Sequence, residues 1–423
     1  MTRRQVLTSR GPLRSNFLAV PSKSITHRAL VAAALADGES CVLNPLDAAD
    51  TRVTCYGLEA LGLRVSFAAD AWRVQGLGGR VPGGNRLALR ESGTSLRLLT
   101  AVAALGDQPS LLDGSARLRQ RPLRDLGQAL ARLGARIAPA DGGEGLPLTA
   151  GGDRPRGGEV NIPADRTSQF ASALLMIGAR LAGGLRVTIP TPRVSDRYID
   201  LTAGVLRSFD VPAVRDESGA WSVPESHYAG RSFRVEGDHS SASYLFAAAA
   251  VVGGAVRVEG LDPASNQPDA RLGSILEQLG CEVIREDSAV EVRGDRTIAP
   301  FDLEVGDAPD LVPTLAALAL FADGPSTLRR VSHLRLKESD RIQVLVDNLQ
   351  AFGCDVETLD DRLTIEPRKG HVKGTEVKTA SDHRIAMAFA VAGLRLNGVR
   401  IDDPGCVAKS NPTFWDQFQA LEG

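Results

Sequence analysis

Three short segments of this 423-residue chain concentrate side chains suited to holding anions and moving protons. In PSKSITHR, Lys23 and Arg28 flank Ser24; in RLKESDR, Arg335, Lys337 and Arg341 alternate with Glu338 and Asp340; in SDHR, His383 and Arg384 follow Asp382. A planar guanidinium fits carboxylate and phosphate groups through paired hydrogen bonds. A carboxylate held among cations stays ionised or exchanges a proton, according to how far it is desolvated. Two further basic loops, RLRQRP with Arg117, Arg119 and Arg121 and CVAKSNP with Lys409, add cations. A basic run is ordinarily a solvated face, so these loops acquire meaning only from what surrounds them.

The elements that must position these groups repeat along the chain. Six small-residue segments begin with Ser, Thr or Asp and close near Gly38, Gly106, Gly183, Gly253, Gly324 and Gly398, at intervals of 68, 77, 70, 71 and 74 residues. An amphipathic second class carries the markers Leu61, Leu133, Phe209, Leu279 and Phe352, spaced by 72, 76, 70 and 73 residues, each followed by a β-branched strand. A shared period of this size marks a repeated supersecondary unit. The final helix, PTFWDQFQALEG, has no strand after it, and the N-terminal QVLTSR could supply the missing one.

The pattern predicts an α/β (α+β) fold of six units, three in each of two domains. One domain is expected to combine residues 1–20 and 237–423, with residues 21–236 inserted, the crossings falling near Val20-Pro21 and Glu236-Gly237. Proline fixes its own φ and restricts its predecessor, while glycine frees a turn. A solenoid is the alternative, but units this long with alternating strand patterns suit compact domains better.

The six small-residue helices are apolar almost all round, which predicts burial. Their polar residues sit at the opening turn, where unpaired N–H groups carry about half a positive charge. Ser, Thr and Asp there are ordinary N-caps. What capping leaves unexplained is the presence beside them of Lys23, Arg28, His383 and Arg384, and of Gly93, which would admit a ligand close to the backbone. Several buried helix starts so equipped suit a multiply anionic ligand.

Composition narrows the remaining possibilities. With 49 basic and 51 acidic residues there is no excess of positive charge for gripping nucleic acid. The start, MTRRQVLTSRGPLR, lacks an apolar segment of secretory type, and the apolar run Leu245–Val256 is too short to span a bilayer. Five scattered cysteines form no CxxC pair or Cys/His cluster, so neither a disulfide framework nor a metal site is expected, and a reducing cytoplasm is the natural compartment. No GxxxxGK[ST], GxSxG or HExxH occurs, and GLGGRV places Val81 where a GxGxxG fingerprint needs its third glycine.

Ten segments, PSKSITHR, ESGTSLR, RQRP, RTSQF, VSDRYID, VEGDHSSASY, APDLVPT, LKESDR, SDHRIAMAF and CVAKSNP, stand in the order found in EPSP synthases, and along almost its whole length the chain resembles that family. The resemblance implies two domains, each an inside-out barrel of three βαβαββ units. It also implies transfer of the enolpyruvyl group of phosphoenolpyruvate to the 5-hydroxyl of shikimate 3-phosphate, with no cofactor. By the same resemblance Lys23, Ser24, Arg28, Thr167, Ser168, Gln169, Ser195, Arg197, Asp310, His333 and Lys337 would hold shikimate 3-phosphate. Lys23, Gly93, Arg121, Gln169, Arg341, Arg384 and Lys409 would hold phosphoenolpyruvate, with Asp310 at the attacking hydroxyl, Glu338 as proton donor and Lys23 sharing acid or base work. Domain closure would exclude water. A monomer in the cytoplasm is expected, with small-molecule partners only.

Three positions depart from the family pattern: Glu91 where Asn is frequent, Thr167 in place of Ser, and His333 in place of Asn. His333 is expected either as a loop histidine on the surface or as a sugar contact titrating near neutrality. The sister enzyme that uses UDP-N-acetylglucosamine usually carries a cysteine where this chain has Ala116, and no cysteine lies between Cys55 and Cys281. A non-enzymatic repeat protein that binds a partner is the remaining alternative; near-zero net charge and buried Ala-rich helices speak against it.

Overall fold

A computed structural model describes residues 3–140, 142–143 and 145–422. Residues 1, 2 and 423 of the expected outer domain, and 141 and 144 of the inserted one, lie outside the described residues. The chain forms two compact units, residues 21–235 and residues 1–20 with 236–423, so Glu236 falls in the second unit, one residue from the expected boundary.

In the unit 21–235 the helices are α1 (Lys23–Leu35), α2 (Ala49–Ala60), α3 (Gly93–Ala104), α4 (Ala116–Arg119), α5 (Arg124–Arg132), α6 (Gln169–Gly178) and α7 (Arg197–Ser208). The small-residue helices α1, α3 and α6 pack on one another. Alanines such as Ala32, Ala33 and Ala103, all fully buried, let them approach closely. The amphipathic α2 and α7 pack against this trio, and three four-stranded sheets line the outside.

The other unit repeats the plan with α8 (His239–Val252), α9 (Leu272–Gln278), α10 (Val312–Ala319), α11 (Arg341–Phe352), α12 (His383–Gly393) and α13 (Phe414–Gln419). Here α8, α10 and α12 are the inner trio. Placing helices inside and sheets outside follows from composition. A helix apolar on every side must be covered all round, whereas the strands alternate and need only one buried face.

Each four-stranded sheet has one parallel pair followed by two antiparallel pairs. Asp302–Glu304 runs parallel to Ser326–Arg329, which pairs antiparallel with Arg362–Pro367, and that strand pairs with Cys354–Leu359. With the intervening α10 and α11 this is a complete βαβαββ unit. Two units take their first strand from a distant segment. Leu13–Leu18, which precedes α1 in sequence, lies parallel to Gly254–Glu259. Ser232–Arg234, which precedes α8, lies parallel to Glu39–Leu43.

The last sheet is completed by the N-terminus: Arg4–Gln5 pairs antiparallel with Arg400–Ile401, itself parallel to Glu376–Val377. An Arg4–Glu422 ion pair at 2.9 Å and the Arg4 guanidinium over the Trp415 ring join the two chain ends.

The small-residue segments close near their glycines, and most of the helices themselves stop short of them. Only Gly253 directly follows its helix, as the C-cap of α8 with φ 85°. The helices α6, α10 and α12 stop at Gly178, Ala319 and Gly393, five residues before Gly183, Gly324 and Gly398. An extra turn and a short reversal intervene, and the glycine makes the bend into the next strand.

Candidate active site

In the unit 21–235 the expected residues gather at the opening turns of the inner helices. Lys23 is the first residue of α1, and its ammonium lies 3.5 Å from the Asp50 carboxylate of α2. Arg28, one turn on, donates from Nε to Thr202 Oγ1 at 2.7 Å, from Nη1 to the Ser24 carbonyl at 2.9 Å and from Nη2 to the Tyr198 carbonyl at 3.3 Å. Burial lowers its pKa to about 10, against the opposing influence of Tyr198, so the guanidinium remains charged at neutral pH. It ties α1 to α7 and fixes the turn that carries Ser24.

Gly93 opens α3 behind Ser92, whose hydroxyl accepts from the Ser95 amide as a conventional N-cap. A Cβ on Gly93 would lie 2.5 Å from Cζ of Arg121 and 2.5 Å from Nη1 of Arg97, so the missing side chain makes room for two guanidinium groups. Arg97 donates to the Gly93 carbonyl at 3.0 Å and to the Pro122 carbonyl at 2.8 Å, binding the Arg121-Pro122 loop to α3. Of the basic loop, Arg121 is buried against this turn, whereas Arg119 is taken up by Asp113 at 3.0 and 2.8 Å.

Gln169, the first residue of α6, reaches Thr94 Oγ1 at 3.2 Å and joins its helix start to that of α3. The Thr167 hydroxyl accepts from the Gln169 amide at 3.2 Å, so the Thr-for-Ser change keeps the capping oxygen. Ser168 is buried, with no side-chain cap bond. Ser195, with φ 57°, is a non-glycine residue in the left-handed region, and its hydroxyl is buried without a hydrogen-bond partner. A left-handed backbone and an unsatisfied buried hydroxyl thus coincide at this residue. Arg197 is exposed at the first turn of α7. Glu91, just before the Ser92 cap, is exposed too.

The unit 1–20 with 236–423 carries a highly charged cluster of its own. Arg341, at the start of α11, is about 1% exposed and meets Asp382 at 2.9 Å, Glu338 at 3.0 Å and Asp310 at 3.3 Å. Burial opposes its charge, but Asp382, Glu338 and Asp310 outweigh that and raise its pKa further. Asp382 caps α12 through the Arg384 amide at 3.0 Å and also accepts from Ser339 Oγ at 3.1 Å. Arg384 meets Asp310 at 2.7 Å and Tyr244 Oη at 3.4 Å. Burial raises the Tyr244 pKa to about 12, with Arg384 acting the other way, so the phenol stays protonated. Asp310 and Glu338 both meet the Arg341 guanidinium, and Asp310 also meets Arg384.

His333 departs from both expectations. It lies in the 3-10 turn Ser332–Leu336, is 3% exposed, and neither ring nitrogen has a hydrogen-bond partner. Burial first, then the charges of Lys337 and Arg341, depress its pKa to about 3, so the ring is neutral near pH 7. Lys337 follows that turn and Lys409 ends the 3-10 segment Pro404–Lys409, where it is buried. Sequence reasoning passed over Asp50, Arg97 and Tyr244 as site residues, and Asp382 as the clamp on Arg341. The signal available for Arg97 was a buried-helix position four residues after Gly93.

Fold and clusters together define a class: a repeat-built α/β protein whose inner helix starts carry fixed cations and carboxylates suited to anionic ligands. Residues 7–418 match the family described as EPSP synthase (3-phosphoshikimate 1-carboxyvinyltransferase). A 3-phosphoshikimate 1-carboxyvinyltransferase of Methanoculleus marisnigri is 43% identical over 409 residues, 96% of each chain. Its counterpart in Methanosphaerula palustris is 42% identical over 98% of this chain and 99% of the relative. Among solved structures, an EPSP synthase from Acinetobacter baumannii superposes with a TM-score of 0.83 at 28% identity, covering 100% of this chain and 98% of that one. The chain belongs to the EPSP synthase family. Among the described residues no helix is long and apolar enough to cross a membrane.

Proposed function

We propose that the chain transfers the enolpyruvyl group of phosphoenolpyruvate to the 5-hydroxyl of shikimate 3-phosphate and releases phosphate. The observation that carries this reading is the Arg341–Glu338–Asp310–Arg384 cluster, two buried guanidinium groups interleaved with two carboxylates at adjoining helix starts. Guanidinium groups held in place before the ligand arrives bind carboxylate and phosphate without reorganisation.

The reaction needs one group to take the hydroxyl proton and another to deliver a proton to C3 of phosphoenolpyruvate while the 5-oxygen adds to C2. Asp310 takes the first role and Glu338 the second. The tetrahedral adduct then loses phosphate and a proton. Lys23, paired with Asp50, neutralises developing charge and assists proton transfer. Lys23, Ser24, Arg28, Thr167, Ser168, Gln169, Ser195, Arg197, Asp310, His333 and Lys337 hold shikimate 3-phosphate. Lys23, Gly93, Arg121, Gln169, Arg341, Arg384 and Lys409 hold phosphoenolpyruvate. Neutral His333 acts only as a hydrogen-bonding partner to a sugar hydroxyl. The protein works as a monomer in the cytoplasm, on these two substrates. Mass analysis of the product formed from phosphoenolpyruvate with either shikimate 3-phosphate or UDP-N-acetylglucosamine tests the acceptor. The carboxyvinyl ether is expected with the first alone, and its formation only with the second would overturn the reading.

A further inference from the structure

The two units put matching arginines to the same use but supply their counter-charge differently. Arg180 stands two residues beyond the end of α6, and Arg395 two residues beyond the end of α12. Each reaches back to the last turn of another inner helix of its own unit. Arg180 donates from Nε to the Leu35 carbonyl of α1 at 3.0 Å, and Arg395 from Nη1 to the Val251 carbonyl of α8 at 3.4 Å. Each guanidinium also lies over an aromatic ring, Tyr228 at 5.8 Å and Phe321 at 5.0 Å. Such carbonyl capping is an ordinary use of arginine at helix ends. The difference lies two residues after the accepting carbonyl. There the unit 21–235 has Asp37, whose carboxylate pairs with Arg180 at 2.9 Å, and the other unit has Gly253. The space a side chain on Gly253 would need is taken by Arg296, whose Cγ would lie 2.9 Å from the added Cβ. Arg296 is itself in the left-handed region, with φ 75°, and its carbonyl accepts from Arg395 at 3.1 Å. Where one unit has a carboxylate, the other therefore has a second cation, and among the described residues Arg395 forms no ion pair.

The two arginines border a cleft of about 340 Å³ whose walls also include Phe321, Asp323, Arg368 and Lys369. That volume is within the range of small-molecule sites. Arg368 is held by Asp355, Nε to Oδ2 at 2.7 Å. Among the lining residues this leaves Arg296, Lys369 and Arg395 against Asp323, two positive charges in excess. Burial, and next the charge of Arg296, lower the Arg395 pKa, with Asp323 acting the other way. The cleft lies past the C-terminal ends of α10 and α12, whereas Asp310, Asp382 and Arg384 stand at their starts. The 11 residues of α12 make about 16 Å of helix between the two places.

We propose that this cleft is a second anion site that binds a small phosphate-bearing molecule. Arg395 and Arg296 hold its phosphate, which takes the part that Asp37 plays against Arg180, and Lys369 supplies a third cation. A phosphate dianion matches the two excess charges, whereas a single carboxylate leaves one uncompensated. Guanidinium groups fit phosphate oxygens through paired hydrogen bonds. The cleft is larger than a bare phosphate, so the ligand carries a further group that lies along it.

Nitrogen-15 NMR of arginine side chains in the full chain tests this, by titration with inorganic phosphate, glycerol 3-phosphate and acetate at constant ionic strength. The Nε signals of Arg296 and Arg395 are assigned by their loss in Arg296→Gln and Arg395→Lys. Both should shift saturably with the two phosphates, the monoester binding at least as tightly, and acetate should bind more weakly. In Arg296→Gln the remaining Arg395 signal should report phosphate binding weakened by about tenfold or more. Its kcat and its KM for phosphoenolpyruvate should stay those of wild type. No saturable shift, a shift by acetate as tight as by phosphate, or wild-type affinity in Arg296→Gln would overturn the inference. Saturation by inorganic phosphate without any by the monoester would overturn the assignment to a larger molecule. Should Arg296→Gln not fold, the exposed Lys369→Gln decides by the same comparison. No residue of the cleft belongs to the proposed reaction, so failure here leaves that reading intact.

Discussion

Glu338 and Asp310 both touch Arg341, Asp310 also meets Arg384 at 2.7 Å, and the two carboxylates are proposed for different tasks. Glu338→Gln preserves size and a hydrogen bond to Arg341 but supplies no comparable acid. Steady-state kinetics should show turnover lower by roughly a hundredfold or more, with substrate affinities little changed; turnover like that of wild type would remove Glu338 from the role. Gly93→Ala would push a methyl group into the guanidinium groups of Arg121 and Arg97, so the KM for phosphoenolpyruvate should rise by at least about tenfold, a loss of ~1.4 kcal/mol.

His333 makes a prediction about pH. Its folded-state pKa, about 3, lies below the unfolded value, so between the two the unfolded chain binds more protons and stability rises with pH. Acidification from about pH 6.5 toward 3 should therefore destabilise the protein through this residue. In His333→Asn, denaturant titrations across that range should show a shallower slope. These residue types were legible in the sequence because charged motifs announce themselves. Burial was not, which is why a histidine beside Lys337 and Arg341 was expected to titrate near neutrality.

At the scale of elements, α12 shows how one cap serves both fold and site. Asp382 is fully buried, caps α12 and holds Arg341 and Ser339. Asp382→Ala removes the cap and leaves Arg341 short of a counter-charge. The expected loss is roughly 3–5 kcal/mol in denaturant-monitored unfolding, as when a buried ion pair is broken, together with a raised KM for phosphoenolpyruvate. A loss below about 1 kcal/mol, the value of an average cap alone, would contradict the clamp. The inner helices were legible from their small-residue composition and their period. Their ends were not: glycine marks a bend but does not say whether a helix runs up to it, and α6, α10 and α12 stop a full turn short.

At the scale of the whole molecule, the strand exchange explains why the chain enters and leaves the segment 21–235 where it does. Val20-Pro21 and Glu236-Gly237 were expected as crossings from the repeat count together with proline and glycine, and the two units divide at Val20-Pro21 and Val235-Glu236. That Leu13–Leu18 and Ser232–Arg234 would each join a sheet remote in sequence was not, because strand patterns specify a face and not a partner. Val6 is fully buried, and a Cβ on Gly393 of α12 would come within 2.6 Å of its Cβ. Deleting residues 1–9 should therefore raise hydrogen exchange in 376–401 and 414–421 while leaving 21–235 protected. Uniform loss of protection would show that the terminal strand matters to both units.

The central claim is that fixed cations and paired carboxylates at the helix starts carry out enolpyruvyl transfer. Its most direct test is phosphate release from phosphoenolpyruvate, followed continuously with and without shikimate 3-phosphate. Release that requires the acceptor and falls by roughly a hundredfold in Glu338→Gln is the predicted result. Release that is absent with shikimate 3-phosphate, or proceeds equally without it, would contradict the account.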